Sequence, residues 1–121
     1  MLYNSTRGTP LAGSPAFAVT YWSRFMGLMG KSRFPEGYDG LIFEKCNSIH
    51  CFFMRMTIDV IFVDKEYKAV KCIREVRPWH LAFGGRRGCT CIELPSGCLE
   101  KSGTVPGDQL LFEDGEKFRR I

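Results

Sequence analysis

One aspartate stands inside the most apolar part of this sequence, and its position calls for a chemical explanation. Asp59 follows Ile58 and precedes the run 60–63, all of it apolar. An ionised carboxylate is costly to bury unless it is paired with a cation or accepts hydrogen bonds. Asp59 is therefore either a structural group, which accepts backbone N–H bonds or pairs with an arginine, or the acid or base of a pocket. The arginines that could pair with it are Arg24, Arg55 and Arg74.

His50 and Glu93 are the other side chains whose chemistry suits proton transfer or polar recognition. His50 is followed by aromatic residues, and a histidine in such a setting is commonly a packed, hydrogen-bonded residue, so a structural and a functional role both stay open. Glu93 ends an apolar stretch just before Pro95, where an inert, exposed glutamate is also common. Both residues are candidate polar anchors of a site.

The relation between these residues depends on how the chain runs from residue 50 to residue 59. A regular strand places His50 and Met54 on one face, because side chains alternate along a strand. Asp59 has the opposite parity, and a bend near Thr57 would change that relation. The spacing therefore does not decide whether His50 and Asp59 meet.

Six cysteines raise a metal or redox alternative. Cys46 and Cys51 form a C-x4-C pair and Cys89 and Cys91 a C-x-C pair, to which His50 and His80 could add nitrogen ligands. Structural zinc sites usually contain a C-x2-C type of pair, which neither spacing matches. The simpler interpretation is that these cysteines are small buried apolar residues, and we predict no metal and no cofactor.

The composition is that of one small globular domain. The chain has 121 residues, 45% of them hydrophobic and 25% charged, and its net charge of +4 is too mild to indicate nucleic acid. The basic, Gly-rich loop 84–88 is predicted to lead into a strand, whereas a phosphate cradle favours a helix N-terminus. No apolar run reaches the roughly 18 residues of a membrane span, and the N-terminus lacks a signal peptide. We therefore expect a cytoplasmic protein whose cysteines are thiols.

Short apolar segments separated by turns predict a mainly β fold with one helix, arranged as a compact antiparallel sandwich or barrel-like single domain. Residues 58–63 are apolar except for Asp59, which is typical of a central strand covered on both faces. A short helix or turn is expected over residues 95–103. The predicted strands are 16–20, 41–45, 58–63, 69–76, 89–94 and 109–113.

The helix is predicted over residues 21–30, where apolar residues recur at helical spacing and Gly30 can end it. The stripe consists of Trp22, Phe25, Met26 and Met29, and we expect it to face the core. Residues 1–15 are rich in glycine, proline, serine and threonine, and are expected to be loosely held.

Four segments, taken in order, resemble the domain-of-unknown-function 192 family. Residues 24–31 are similar to its R-x-x-G-L-M-x-R helix, and residues 49–62 to its H-T-F-F-M-x-x-P-I-D-V-x-F core. Residues 93–97 resemble its E-L-P-A-G segment, and residues 107–108 its final G-D. The resemblance covers about residues 16–113, with Thr57 in place of a proline and Cys51 in place of a threonine. It implies a compact β fold with one helix and no established reaction.

The leading prediction is a cytoplasmic, non-catalytic binding or accessory domain. Its pocket is expected to contain Arg24, His50, Met54, Asp59 and Glu93. In it His50 and Glu93 are polar anchors, Met54 is an apolar floor and Arg24 is a charge partner. The expected partner is a small molecule or a protein, and not nucleic acid. One alternative is a hydrolase using His50 with Asp59 or Glu93. The other is the cysteine-based metal or redox protein.

Overall fold

A six-stranded mixed sheet forms the centre of the computed structural model, which describes residues 1–113 and 119–121. The strands of the described chain are β1 (Leu2–Asn4), β2 (Thr9–Ala12), β3 (Pro15–Phe17), β4 (Gly40–Glu44), β5 (Ser48–His50), β6 (Ile58–Val63), β7 (Ala69–Val76), β8 (Leu81–Phe83), β9 (Thr90–Pro95), β10 (Leu110–Phe112) and β11 (Arg119–Arg120). Two short helices, α1 (Tyr21–Met26) and α2 (Cys98–Ser102), complete the fold.

The central sheet has the order β11-β3-β4-β9-β6-β7. β3 runs parallel to β4 and to β11, and the other pairs are antiparallel. All six residues of β6 are buried, as its apolar sequence predicts. Two smaller sheets, β10-β1-β2 and β5-β8, flank this one.

The central sheet carries a hydrophobic cluster on each face because its side chains alternate. Leu41 and Val60 are the strand partners of Glu93, and these three side chains share the first face. Asp59 is paired with Leu94 and has the parity of the second face. The two buried acids of the central sheet therefore point in opposite directions, and this separation decides which of them belongs to the pocket described below.

The mainly β fold is confirmed, while the sheet arrangement and the helix differ in detail from expectation. The described strands form an open mixed sheet with two small sheets beside it, not a closed barrel. Helix α1 is only six residues long, with Thr20 and Ser23 in a capping box. Its predicted core stripe is wrong for two residues, because Trp22 is 69% and Phe25 58% exposed. No helix of the described residues is long and apolar enough to cross a membrane.

The first residues are part of the folded core, contrary to the expectation that they are loosely held. β1 lies between β2 and β10, and Leu2 is fully buried. Oδ2 of Asp108 accepts hydrogen bonds from Asn4 Nδ2 at 2.9 Å, Arg7 Nε at 2.6 Å and the Val105 N–H at 3.1 Å. One carboxylate oxygen thus joins the N-terminal strand to the turn before β10.

Replacing Asp108 by asparagine is expected to lower the free energy of unfolding by about 2 kcal/mol at pH 7, because a charged acceptor of three donors is lost. Burial raises the pKa of Asp108, but the bonds from Asn4, Arg7 and Val105 outweigh it and lower the pKa overall. A lowered pKa stabilises the fold above the unfolded pKa of about 3.9, and that contribution is lost as the pH falls through the folded value. Chemical denaturation of parent and variant from pH 7 to pH 3 measures this, and a constant difference would contradict it.

Candidate functional site

A cavity of about 100 Å³ lies between β5 and residues 24–29, which we call the α1 segment. It is on the first face of the central sheet. One wall is formed by residues 24–29 and the other by β5 and Cys46. Four of the five residues predicted for a pocket line it, namely Arg24, His50, Met54 and Glu93. The structure thus brings together residues that are up to 69 positions apart in the sequence.

Glu93 is the acid of this cavity and is held there by the middle of the sheet. It lies on β9 between β4 and β6, and it is only 4% exposed. Its Oε1 atom is buried and has no hydrogen-bond partner within residues 1–113 and 119–121. Burial raises the pKa of Glu93 to about 8, so the carboxyl group is mostly neutral at pH 7.

Two thiols near Glu93, those of Cys51 and Cys91, carry no charge near neutral pH. Burial, with a smaller contribution from the nearby Glu93, raises the pKa of Cys51 to about 12. Cys91, on β9 itself, also has a pKa well above the usual range, chiefly because of burial. Both groups therefore stay protonated, and they act as small apolar side chains.

Arg24 supplies positive charge at the wall formed by α1. Its guanidinium lies 5.9 Å from the centre of the Phe43 ring, within the range of a cation–π contact. Its Nη1 atom is 3.5 Å from the carbonyl oxygen of Ala18, at the long limit of a hydrogen bond. No carboxylate pairs with Arg24 in the described part of the chain. The cation is therefore positioned by a ring and a carbonyl, and no carboxylate among residues 1–113 and 119–121 neutralises its charge.

His50 lies at the end of β5, where its exposed ring borders the cavity. Its Nδ1 atom accepts the N–H of Phe52 at 3.3 Å, and its ring lies 5.0 Å from the Phe52 ring. The neutral imidazole then carries its proton on Nε2, an assignment made from this hydrogen bond. His50 therefore has one N–H free to donate to a ligand.

Met54 lies on the apolar side of the cavity and is 4% exposed. Its loop is fixed to the chain after α1, because the Gly30 N–H donates to the Phe53 carbonyl at 2.6 Å and the Arg55 N–H to the Lys31 carbonyl at 3.1 Å. Leu28 from the same segment is also buried. The α1 segment and residues 51–55 are therefore held together around the cavity.

Asp59 does not belong to this cavity, although it was predicted for the pocket. It lies on the second face, 1% exposed, and accepts three backbone N–H groups. Oδ1 accepts from Glu75 at 2.9 Å, where a bulge in β7 gives Glu75 a φ of +53°. Oδ2 accepts from Gly97 at 3.1 Å and Leu99 at 2.9 Å, at the start of α2. Since Gly97 has no side chain to cap α2, Asp59 supplies the cap from β6.

The cysteines and the Gly-rich loop have simpler explanations than the sequence alternatives. Within the described ranges no three His, Cys, Asp or Glu residues lie close enough to hold a metal ion, and all six cysteines are free thiols. In the loop, a Cβ on Gly84 would lie 2.6 Å from the Phe62 ring. That glycine is therefore required by close packing.

An exposed aromatic surface next to the cavity was not foreseen from the sequence. We define it as Phe52, Phe53 and Trp79, which are 37%, 58% and 57% exposed. The Trp79 ring lies 5.7 Å from Phe52 and 4.6 Å from Phe53, and His50 extends the series through Phe52. Phe53 and Trp79 have φ of +62° and +69°, an uncommon conformation for bulky residues. The apolar run 49–54 gave no sign that some of its rings face outward.

Comparison with known proteins identifies the same family that the motifs suggested. The DUF192 family model, described as uncharacterized ACR, matches residues 4–112. A UPF0127 protein of Thermococcus sibiricus is 34% identical over 129 residues, covering 100% of this chain and 80% of that protein. A UPF0127 protein of Pyrococcus furiosus is 32% identical over 111 residues, covering 90% of this chain and 95% of that protein.

Two solved structures share the fold. A protein of unknown function from Novosphingobium aromaticivorans has a TM-score of 0.69 at 18% identity, covering 81% of this chain and 74% of that chain. A Sinorhizobium meliloti protein, provisionally described as a transcription regulator, has a TM-score of 0.75 at 19% identity, covering 91% and 88%. At these identities the likeness concerns the fold alone.

Proposed function

We propose that this chain, which belongs to the domain-of-unknown-function 192 family, is a binding domain for a carboxylate group attached to a short apolar group. The ligand occupies the cavity between α1 and β5. Its carboxylate meets Arg24, His50 and Glu93, and its apolar part lies on Met54.

The observation that carries this proposal is the unpartnered Oε1 of Glu93, a residue that lines the cavity. A buried polar atom without a hydrogen bond costs about 1–3 kcal/mol. A sheet residue that served only folding would be satisfied internally, as Asp59 is on the other face. A ligand oxygen or a water in the cavity would complete the hydrogen bonding of Glu93.

The charges around the cavity favour an anionic ligand. Arg24 has no carboxylate partner in the described chain, and His50 presents an N–H. Glu93 is mostly neutral at pH 7, so it can donate a proton in a hydrogen bond. Three donors and one net positive charge suit a carboxylate, because charge-assisted hydrogen bonds are the stronger kind. An amine would meet the Arg24 cation without an ionised partner.

The size of the cavity restricts the ligand to a small group or to one end of a larger molecule. Its volume is about 100 Å³. By comparison, an apolar cavity of about 150 Å³ takes up benzene. A branched group of four carbons therefore fills the space beside Met54 and Leu28, and isovalerate is a suitable probe.

Isovalerate is expected to bind, with isovaleramide and isobutylammonium binding at least about tenfold more weakly, because they lack the negative charge. Affinity should fall as the pH rises through about 8, where Glu93 ionises and repels the carboxylate. The other titratable groups near Glu93 are Cys46, His50, Cys51 and Cys91. Titration followed by NMR at pH 6.5 and pH 9 measures both effects.

Two variants make the test specific. Arg24→Gln should abolish isovalerate binding, whereas Arg33→Gln, an exposed arginine outside the cavity, should not change it. Glu93→Gln should remove the fall in affinity above pH 8, since glutamine does not ionise. Equal binding of the acid, the amide and the amine, or binding that Arg24→Gln leaves intact, would contradict the proposal.

A second candidate is acid–base catalysis by Glu93 and His50, favoured by their position on one cavity. Glu93, neutral at pH 7, would be the acid, and His50 would accept a proton through Nε2 in its other tautomer, which gives up the hydrogen bond from the Phe52 N–H to Nδ1. Asp59 takes no part, because it is on the opposite face of the sheet. Turnover of small esters that Glu93→Gln abolishes would favour this candidate over simple binding.

The proposal includes a cytoplasmic location. All six cysteines are free thiols, although four of them are only partly buried, namely Cys46, Cys72, Cys89 and Cys98. Thiols persist in reducing compartments, so the cysteine chemistry supports this assignment.

A further inference from the structure

β5 is an edge strand whose outer side carries unpaired backbone groups. Its register with β8 pairs Ser48 with Phe83, Ile49 with Ala82 and His50 with Leu81. Hydrogen bonds from the Gly84 N–H to the Asn47 carbonyl at 2.7 Å and from the Cys51 N–H to the His80 carbonyl at 2.8 Å bracket the strand.

In an antiparallel pair the hydrogen-bonded positions alternate. Residues 47, 49 and 51 therefore bond to β8, and the N–H and C=O groups of Ser48 and His50 point away from it. Within the described residues β8 is the only strand paired with β5. On this outer side, Cys46 Sγ donates a hydrogen bond to the Ser48 carbonyl at 3.0 Å.

The residues that line the cavity place it on this outer side of β5. It is lined by Ser48, Ile49 and His50 and by the α1 segment opposite, and by none of the β8 residues. A strand edge and a helix segment thus form the two walls of one groove, with Glu93 at its base. The groove presents backbone hydrogen-bonding groups along one wall and an anion site within it.

We infer that the ligand of this cavity is the C-terminal end of an extended peptide, which pairs with the outer edge of β5 and places its terminal carboxylate at Arg24. This inference rests on the function proposed above and names the ligand class of the same site. The last side chain of the peptide is small and apolar and lies on Met54, and its main chain bonds to the outward-facing N–H and C=O groups of Ser48 and His50.

Two observations favour a peptide over a free small molecule. First, an exposed strand edge is a template on which another extended chain forms main-chain hydrogen bonds, and peptide-binding domains use such edges. A free carboxylic acid leaves those groups unpaired. Second, the aromatic surface begins at the mouth of the cavity, because His50 both lines the cavity and stacks on Phe52. It offers apolar contact area to the residues that precede the C-terminus.

Charge supports the same occupant. The loops that carry the aromatic surface also carry Arg55 and Arg77, both exposed. Arg24 is the arginine that lines the cavity itself, and these two add positive charge to the surface across which the peptide would approach. A peptide with a free C-terminus is therefore complementary in charge, in backbone hydrogen bonding and in apolar contact.

The test compares four synthetic probes on the intact protein: acetyl-valine, acetyl-Gly-Phe-Val, its C-terminal amide, and the acid with an N-methylated valine. The tripeptide acid is expected to bind at least about tenfold more tightly than acetyl-valine, because two or more main-chain hydrogen bonds are added. Amidation and N-methylation should each weaken the binding of the tripeptide acid by at least about tenfold. Isothermal titration calorimetry at pH 6.5 gives the four dissociation constants.

Variants separate the parts of the site. Trp79→Ala should weaken the tripeptide but leave acetyl-valine and isovalerate unchanged, and thermal denaturation verifies that the variant is folded. If isovalerate binds and the tripeptide acid binds no more tightly than acetyl-valine, the peptide inference fails while the proposed carboxylate site stands. Equal affinity of the N-methylated and parent peptides would also overturn edge pairing. If neither isovalerate nor any peptide binds, both proposals fail.

Discussion

Replacing Asp59 by alanine is expected to lower the free energy of unfolding by about 3–5 kcal/mol, enough to unfold a marginally stable domain. The variant leaves three backbone N–H groups, of Glu75, Gly97 and Leu99, without their acceptor. Asp59→Asn is expected to cost nearly as much. Its amide keeps one oxygen, so a donor then faces at least one of these N–H groups. Chemical denaturation of each variant gives the difference.

Asp39→Ala is the matched control for this effect. Asp39 also accepts two backbone N–H groups, from Gly13 at 2.9 Å and Ser14 at 2.8 Å, but both bonds are exposed to solvent. Water can replace the lost carboxylate there, so we expect a loss of about 1 kcal/mol or less. If Asp59→Asn unfolds at the same temperature as the parent or higher, Asp59 is not a structural acceptor, and its assignment to the second face of the sheet must be revised.

Glu93→Gln is expected to have the opposite effect and to stabilise the fold at pH 7 by about 3 kcal/mol. Burial raises the folded pKa of Glu93 to about 8 from an ordinary value of 4.5. The bound proton stabilises the folded state fully below the unfolded pKa, and this contribution is lost as the pH rises through the folded pKa. Glutamine resembles the neutral acid in shape and cannot ionise. The free energy of unfolding of the variant therefore does not fall as the pH rises through these values.

The stability difference between Glu93→Gln and the parent should therefore be small near pH 4.5, grow with pH, and level off above about pH 8. Glu44→Gln serves as the control, because Glu44 is exposed at the end of the adjacent strand β4 and should show no such trend. A difference that is independent of pH would mean that Glu93 is ionised in the folded protein. The carboxylate would then meet a like charge, and the proposed ligand class would be wrong.

Parts of this fold are predictable because their sequence pattern is local. β6 and β7 begin and end at the predicted residues, since an apolar run and a turn at 64–68 mark them. The anomaly of Asp59 was also visible, and one of its two interpretations, the acceptance of backbone N–H bonds, describes its contacts. Its donors lie 16 to 40 residues away in sequence, so spacing could not identify them.

Other parts depend on pairings between distant residues. The N-terminal strand is held by Asn4 and Asp108, 104 positions apart, and its glycine- and serine-rich surroundings suggested a loose segment. The opposite orientation of Asp59 and Glu93 follows from the register of β6 with β9, which a single sequence does not contain. The exposure of Trp22 and Phe25 likewise depends on how short α1 is, because the chain leaves the helix at Gly27 and buries Leu28 instead.

The most direct test of the central claim is the ionisation of Glu93 itself, followed by the ¹³C chemical shift of its side-chain carboxyl in the free protein and with saturating isovalerate. We predict a pKa near 8 in the free protein, where burial raises it, and a higher value in the complex, because the bound carboxylate disfavours ionisation. A lower pKa in the complex would mean that no carboxylate is bound beside Glu93, and it would contradict the proposed anion site. An unchanged pKa at saturation would show that isovalerate binds elsewhere, and it would contradict the assignment of Glu93 to the binding cavity.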